Sequence, residues 1–198
     1  MTFYTFAKTV ACNLLRLVFR IRYEGVENIP TDRGFILCSN HRSYLDPIFV
    51  AHKFRQPLNF MAKAELFKYR ASNWLMHKLN AFPIDRGKGD SEPIEEAKRR
   101  LNAGGLLLIF IEGHRSKTGE LMRPRSGAAM LASATGADLL PCAVVFEGKL
   151  RLWKRVTVRY GEVIPNSGLG LVPTGPRAVR EASKQIMSRI AGLIGEGA

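Results

Sequence analysis

Apolar residues recur along this chain in two rhythms. Between Thr2 and Arg20, Phe3, Phe6, Val10, Leu14, Leu17 and Val18 fall on one half of a helical wheel. Thr5, Lys8, Thr9, Asn13 and Arg16 fall on the other, so the spacing predicts a first helix over 2–20. Its apolar side can pack on a core. The same side, with basic residues opposite, can also lie in a membrane interface. The segment alone supports both readings equally.

Beyond residue 20, short apolar runs alternate with helical stretches. "GFILCSN" (34–40), "LNFMAK" (58–63), "AFPIDR" (81–86), "LLLIFI" (106–111), "LLPCAVVF" (139–146) and "RVTVRYGEVI" (155–164) predict strands, the last a strand or a hairpin. Helices are predicted over 47–54, with Pro47 in the first turn, and over 65–80, 91–104, 126–136 and 176–194. Strands that alternate with helices predict an α/β fold with a largely parallel central sheet flanked by helices. The predicted organisation is an N-terminal amphipathic helix, 1–20, followed by one α/β domain over 21–198. The Gly/Pro cluster at 165–176 reads as a long loop inside that domain.

Charge narrows the set of partners. Thirty Lys and Arg against 17 Asp and Glu give +13, a field that attracts nucleic acid, phosphorylated substrates or an anionic membrane surface. The three cysteines, Cys12, Cys38 and Cys142, sit in apolar surroundings with no metal-ligand spacing, and are expected as reduced, buried thiols. No segment reaches the roughly 20 apolar residues of a bilayer span. Asn13 and Arg16 interrupt the N-terminal apolar run, so a signal peptide is not expected.

Three polar clusters directly follow buried strands: "NHRSYLD" (40–46), "DRGKGD" (85–90) and "EGHRS" (112–116). Ligands of α/β sheets bind outside the carboxyl ends of strands, so the three clusters can converge on one site. His41 and Asp46 can form a base and its orienter: the carboxylate accepts the proton on one ring nitrogen, and the other nitrogen is free to take a proton. The plainer reading makes Asp46 a helix cap, with Ser43 completing an imitation of a capping box. No Ser or Cys nucleophile accompanies the pair, so the nucleophile would be a hydroxyl of the substrate. Arg86, Lys88 and Arg115 lie in glycine-bearing turns suited to phosphate. Glu112 abuts the most apolar strand, where a carboxylate must hydrogen-bond either a ligand hydroxyl or a backbone amide.

In order along the chain, these motifs resemble those of the glycerophospholipid acyltransferases, in particular the bacterial 1-acylglycerol-3-phosphate acyltransferases. "NHRSYLD" resembles the family's His-x4-Asp block, "AFPIDR" the block ending in Arg, "FIEGHRS" the Phe-Pro-Glu-Gly-Thr-Arg-Ser block, and "LLPCAV" the block centred on Pro141. "AKAELF" (62–67) resembles a further Lys-x-Glu-Leu-Phe segment. The resemblance covers about residues 20–165. Ile111 stands where the family usually has Pro, His114 where it has Thr, and Asn80 at a position often occupied by Gly.

The resemblance implies transfer of a fatty acyl group from acyl-CoA or acyl-ACP, a co-substrate rather than a cofactor, to the hydroxyl of a lysophospholipid. It implies His41 as general base oriented by Asp46, and Glu112 and Gly113 positioning the acceptor's glycerol. Arg86, Arg115 and Lys63 would hold its phosphate, and Pro141 would shape the donor side. No metal is required. A lipid acceptor tips the N-terminal helix toward docking on an anionic membrane surface, which implies a peripheral or monotopic protein on the cytoplasmic face. Other acceptors, a hydrolase using the same pair on water, and a basic nucleic-acid-binding protein are the competing readings. No nucleic-acid motif is recognisable, and nucleic acid is not an expected partner.

Overall fold

The computed structural model describes residues 2–84, 92–172 and 174–195. Helix α1 (Phe3–Val18) opens the chain, with Thr2 as its cap: the Thr2 hydroxyl accepts the Thr5 N–H at 3.2 Å. Seven strands follow: β1 (Arg20–Glu24), β2 (Ile36–Ser39), β3 (Leu58–Lys63), β4 (Ala81–Ile84), β5 (Leu106–Phe110), β6 (Leu139–Val145) and β7 (Arg155–Tyr160). Between them lie α2 (Asp46–Ala51), α3 (Arg70–Lys78), α4 (Glu92–Asn102) and α5 (Gly127–Thr135), and α6 (Pro176–Gly195) closes the described chain.

The strands form one sheet in the order β1-β7-β6-β2-β5-β3-β4. Every pairing is parallel except β6 with β7. The α/β class with a largely parallel sheet and an N-terminal helix is therefore the observed fold. Side chains alternate across each strand, and the core divides accordingly. Ile36, Cys38, Leu107 and Ile109 face α4, α5 and α6. Phe35, Leu37, Leu106 and Leu108 face α2 and the end of α1. Both faces of the central strands are buried, as is usual where helices cover a parallel sheet.

Two elements differ from the sequence reading. The helix expected over 65–80 is a 3-10 turn, Ala64–Phe67, followed by the shorter α3. Strand β1 was not expected: "RIRYE" is polar, and it forms because Arg20–Glu24 pair in register with Arg155–Arg159 at the sheet edge. All three cysteines are buried and free. Burial in apolar surroundings pushes the Cys38 and Cys142 thiols well above their ordinary range, which keeps them protonated and unreactive.

Candidate active site

The central strands β2, β5 and β3 deliver their chains to the same edge of the sheet. Ser39 lies opposite Phe110, and the Ile111 N–H donates to the Ser39 carbonyl at 3.1 Å, so His41 and Glu112 emerge side by side. Phe60 lies opposite Leu108, which carries exposed Lys63, three residues on, to the level of Ile111. With β5 between them, β2 and β3 are about 10 Å apart. Strand β4 ends at Ile84 beside Lys63. Arg86 and Lys88 lie outside the described residues.

His41 is fixed on every side but one. Its Nδ1 lies 2.9 Å from Asp46 Oδ2, and its ring stacks on Phe110 at 3.8 Å between centroids, 14° from parallel. Its backbone N–H donates to Glu112 Oε1 at 2.9 Å, and its carbonyl accepts the Ser116 N–H at 2.8 Å. A carboxylate is acceptor-only, so in the neutral imidazole the proton sits on Nδ1 and the lone pair on Nε2. Among the described residues Nε2 has no hydrogen-bond partner.

Asp46 is fully buried at the start of α2. Its Oδ2 also accepts the N–H of Arg42 at 2.6 Å and of Ser43 at 2.8 Å. The Ser43 bond has the sense of half a capping box, although Leu45 precedes the first helical position and makes no side-chain cap, so one carboxylate both holds the turn before α2 and faces the His41 ring. Oδ1 is buried and has no partner among the described residues.

Glu112 takes the second of the two roles its position allowed. It is 1% exposed, with Oε1 on the His41 N–H and Oε2 on the Met122 N–H at 3.0 Å. It ties the loop carrying His41 to the loop that runs on to α5. Gly113 then turns the chain with φ +79°, a conformation costly for a residue with a side chain, and a Cβ there would meet Arg125 Cγ at 3.1 Å. Arg115 is half-buried with its guanidinium 3.4 Å above the Tyr44 ring, which brings a cation from the third block against the first. His114 is exposed.

Arg42 and Asn40 lie inside the first block, but the sequence assigned neither a role. Arg42 donates to the carbonyl of Phe146 and to that of Gly148 at 3.1 Å, and lies 4.1 Å above the Phe146 ring. Gly119, at φ +92°, makes room for it: a Cβ there would come 2.6 Å from the guanidinium. Asn40 clamps Val144 of β6 through both its side-chain atoms, at 3.0 and 2.8 Å. Pro141 sits within β6 rather than beyond its end. It faces Gly161 and a cavity of about 680 Å³ that Arg159 and Leu193 also line, and no described contact joins it to the His41–Asp46 pair.

A histidine fixed by a buried carboxylate at the strand ends, in a loop bonded to the one that carries a half-buried arginine, fits proton abstraction from a hydroxyl near an anionic group. A family model described as Acyltransferase matches residues 20–145. This chain belongs to the acyltransferase family. The matched span includes His41, Asp46, Glu112 and Arg115. The chain is similar to a chloroplastic 1-acyl-sn-glycerol-3-phosphate acyltransferase of Arabidopsis thaliana, 29% identical over 135 residues, or 67% of this chain and 38% of that one. It is also similar to the lyso-ornithine lipid O-acyltransferase of Pseudomonas aeruginosa, 34% identical over 133 residues, covering 66% of this chain and 49% of that one. Thus it spans less than half the length of either relative. The crystal structure of PlsC, a 1-acyl-sn-glycerophosphate acyltransferase from Thermotoga maritima, superposes with a TM-score of 0.74 over 98% of this acyltransferase and 81% of that chain, at 23% identity. That likeness establishes the fold.

Proposed function

We propose that this acyltransferase moves a fatty acyl group from an acyl thioester, acyl-CoA or acyl-ACP, to the free hydroxyl of 1-acylglycerol 3-phosphate, giving phosphatidic acid. The observation that carries this reading is the His41–Asp46 pair, with Nε2 unpartnered among the described residues and Arg115 close by. His41 Nε2 takes the proton of the acceptor hydroxyl as its oxygen attacks the thioester carbonyl. The imidazolium that forms faces the Asp46 carboxylate. The tetrahedral intermediate collapses, the C–S bond breaks, and the thiolate recovers a proton from His41. A thioester is an activated acyl group, so a base and a positioned acceptor suffice, and the reading requires no cofactor.

Arg115 and Lys63, with Arg86, would hold the acceptor's phosphate. Glu112 and Gly113 would shape the glycerol side by fixing the loop under it, and Pro141 would act on the donor side from within β6. The acceptor lives in a bilayer. We place α1 on an anionic membrane at the cytoplasmic face as a peripheral docking helix, because Phe6, Val10, Leu14 and Leu17 are exposed while only Tyr4, Cys12 and Leu15 of that helix are buried. Among the described residues no helix is long and apolar enough to cross a membrane.

One observation favours a second acceptor: the similarity to a lyso-ornithine lipid O-acyltransferase, a name that implies a lysolipid without phosphate. Profiling lysophosphatidate and lyso-ornithine lipid side by side, with wild type and Arg115→Ala, separates the two. Charge-assisted phosphate contacts contribute about 1.5–3 kcal/mol each, so Arg115→Ala is expected to raise the KM for lysophosphatidate about tenfold or more and leave the donor KM unchanged. Preference for the ornithine lipid, with Arg115→Ala indifferent, would select the second reading.

A further inference from the structure

The chain contains two tryptophans, and both are exposed, Trp74 by 54% and Trp153 by 67%. They stand at opposite ends of α1. The Trp74 ring, on α3, meets the Phe3 ring edge-on at 5.2 Å. The Trp153 backbone N–H donates to the Val18 carbonyl at 2.7 Å. Fifteen residue steps of helix separate Phe3 from Val18, about 22 Å at 1.5 Å per residue. Between them runs the exposed apolar side of α1.

Neither tryptophan is where core packing would put it. Helix α3 buries none of its residues, yet presents Trp74 and Leu75 to solvent. Trp153 is held at φ +60°, a left-handed conformation that bulky residues rarely adopt, with exposed Leu152 beside it. Strain of that kind persists where the surroundings enforce it, often at functional positions. Here it keeps a large indole on the outside.

The chemistry around the two rings selects the occupant. Lys68, Arg70 and Lys78 flank Trp74, and Lys149, Arg151 and Lys154 flank Trp153. Helix α1 contains no acidic residue. Glu147, near the second cluster, lies 3.6 Å from Lys154. Tryptophan concentrates at membrane–water boundaries, where its ring is apolar and its N–H stays wet, and lysine and arginine beside it meet anionic headgroups. The aromatic contact makes α3 continuous with the α1 face. We infer that Trp74 and Trp153 are paired interfacial anchors, one at each end of α1, that hold this helix flat in the headgroup layer of an anionic bilayer. The apolar face of α1 sets its rotation, and an anchor at each end opposes tilting out of the interface plane. Helix α1 lies against α2, where the Cys12 thiol approaches the Ile48 carbonyl at 3.8 Å, and α2 begins at Asp46. The anchored surface is thereby coupled to the site through one helix. The inference rests on the docking reading of α1 given above.

The two-tryptophan composition makes the test direct. Trp153→Phe and Trp74→Phe each leave one emitter in the full chain. Each is titrated with phosphatidylcholine/phosphatidylglycerol vesicles, with and without bromine-labelled acyl chains, and binding is followed in parallel by sedimentation. Both single-tryptophan proteins should bind, shift their emission to the blue, and be quenched by the brominated lipid. Replacing both tryptophans with alanine should raise the lipid concentration for half-binding about tenfold. Binding with either tryptophan unshifted and unquenched overturns the anchor inference and leaves docking by α1 intact. Wild-type protein that fails to sediment with vesicles, or a Leu14→Glu/Leu17→Glu protein that sediments like wild type, overturns the docking reading and the inference with it. A shift that depends on protein concentration in the absence of lipid identifies a self-association surface and also overturns the inference. The phenylalanine variants keep an aromatic ring at each position, so a matching thermal transition serves as the folding control.

Discussion

Replacing His41 with alanine is expected to lower acyl-transfer turnover by about 10²–10⁴-fold or more, with little change in thermal stability. The rate effect follows from the proposed role of His41 as base, for which the described residues of the site offer no substitute. His114 is exposed and has no carboxylate partner among the described hydrogen bonds, and Glu112 has both oxygens occupied by backbone N–H groups. The small stability effect follows from what the ring touches. Its side chain is 15% exposed and packs on Phe110, while the bonds that join the two loops run through the His41 backbone and survive the substitution. Steady-state turnover and a thermal melt on the same preparation check both halves. Near-normal turnover would remove His41 from the chemistry.

Asp46→Asn is expected to damage rate and stability together, and in this it differs from His41→Ala. Oδ2 takes three donors, two of them backbone N–H groups that accept no replacement. They hold the amide oxygen of an asparagine at the Oδ2 position, which puts the NH2 at the buried Oδ1 position, where no acceptor is described. An unpartnered buried amide costs about 1–3 kcal/mol. The imidazole can still donate to the amide oxygen, so the tautomer is retained. The imidazolium formed during transfer loses its counter-charge, and turnover should fall about a hundredfold or more. A lower melting temperature with full turnover would reduce Asp46 to a cap. A lower rate at unchanged stability would mean that the Oδ1 position tolerates a donor.

How far the sequence discloses this molecule depends on the kind of information each element carries. Strands β2, β5 and β6 are written as continuous apolar runs because both their faces are buried, and they appear where expected. Strand β1 has no such signature, since an edge strand is specified by its partner β7 and not by its own composition. The 65–80 stretch reads as one helix by periodicity. It divides because its apolar positions, Leu66, Trp74 and Leu75, face outward and no core holds a single long helix together.

The site divides in the same way. His41 and Asp46 are five residues apart, so their pairing was open to local reasoning. The stacking of His41 on Phe110, the clamp of Asn40 on Val144 and the seat of Arg115 on Tyr44 join residues from different strands and loops, and only the sheet order brings them together. Glu112 shows the limit most clearly. Its place beside an apolar strand required a hydrogen-bond partner, and the fold supplies two backbone amides, one of them that of His41.

The most direct test is a mass spectrum of the lipid product. Purified full chain is incubated with an acyl-CoA or acyl-ACP carrying an isotope-labelled acyl group and with lysophosphatidate in mixed vesicles. The expected result is phosphatidic acid carrying the labelled chain in ester linkage, one free thiol released per product, and loss of both with His41→Ala. Thiol released without labelled lipid would identify a hydrolase. The absence of labelled phosphatidic acid with either donor, or its undiminished formation by His41→Ala, would contradict the account.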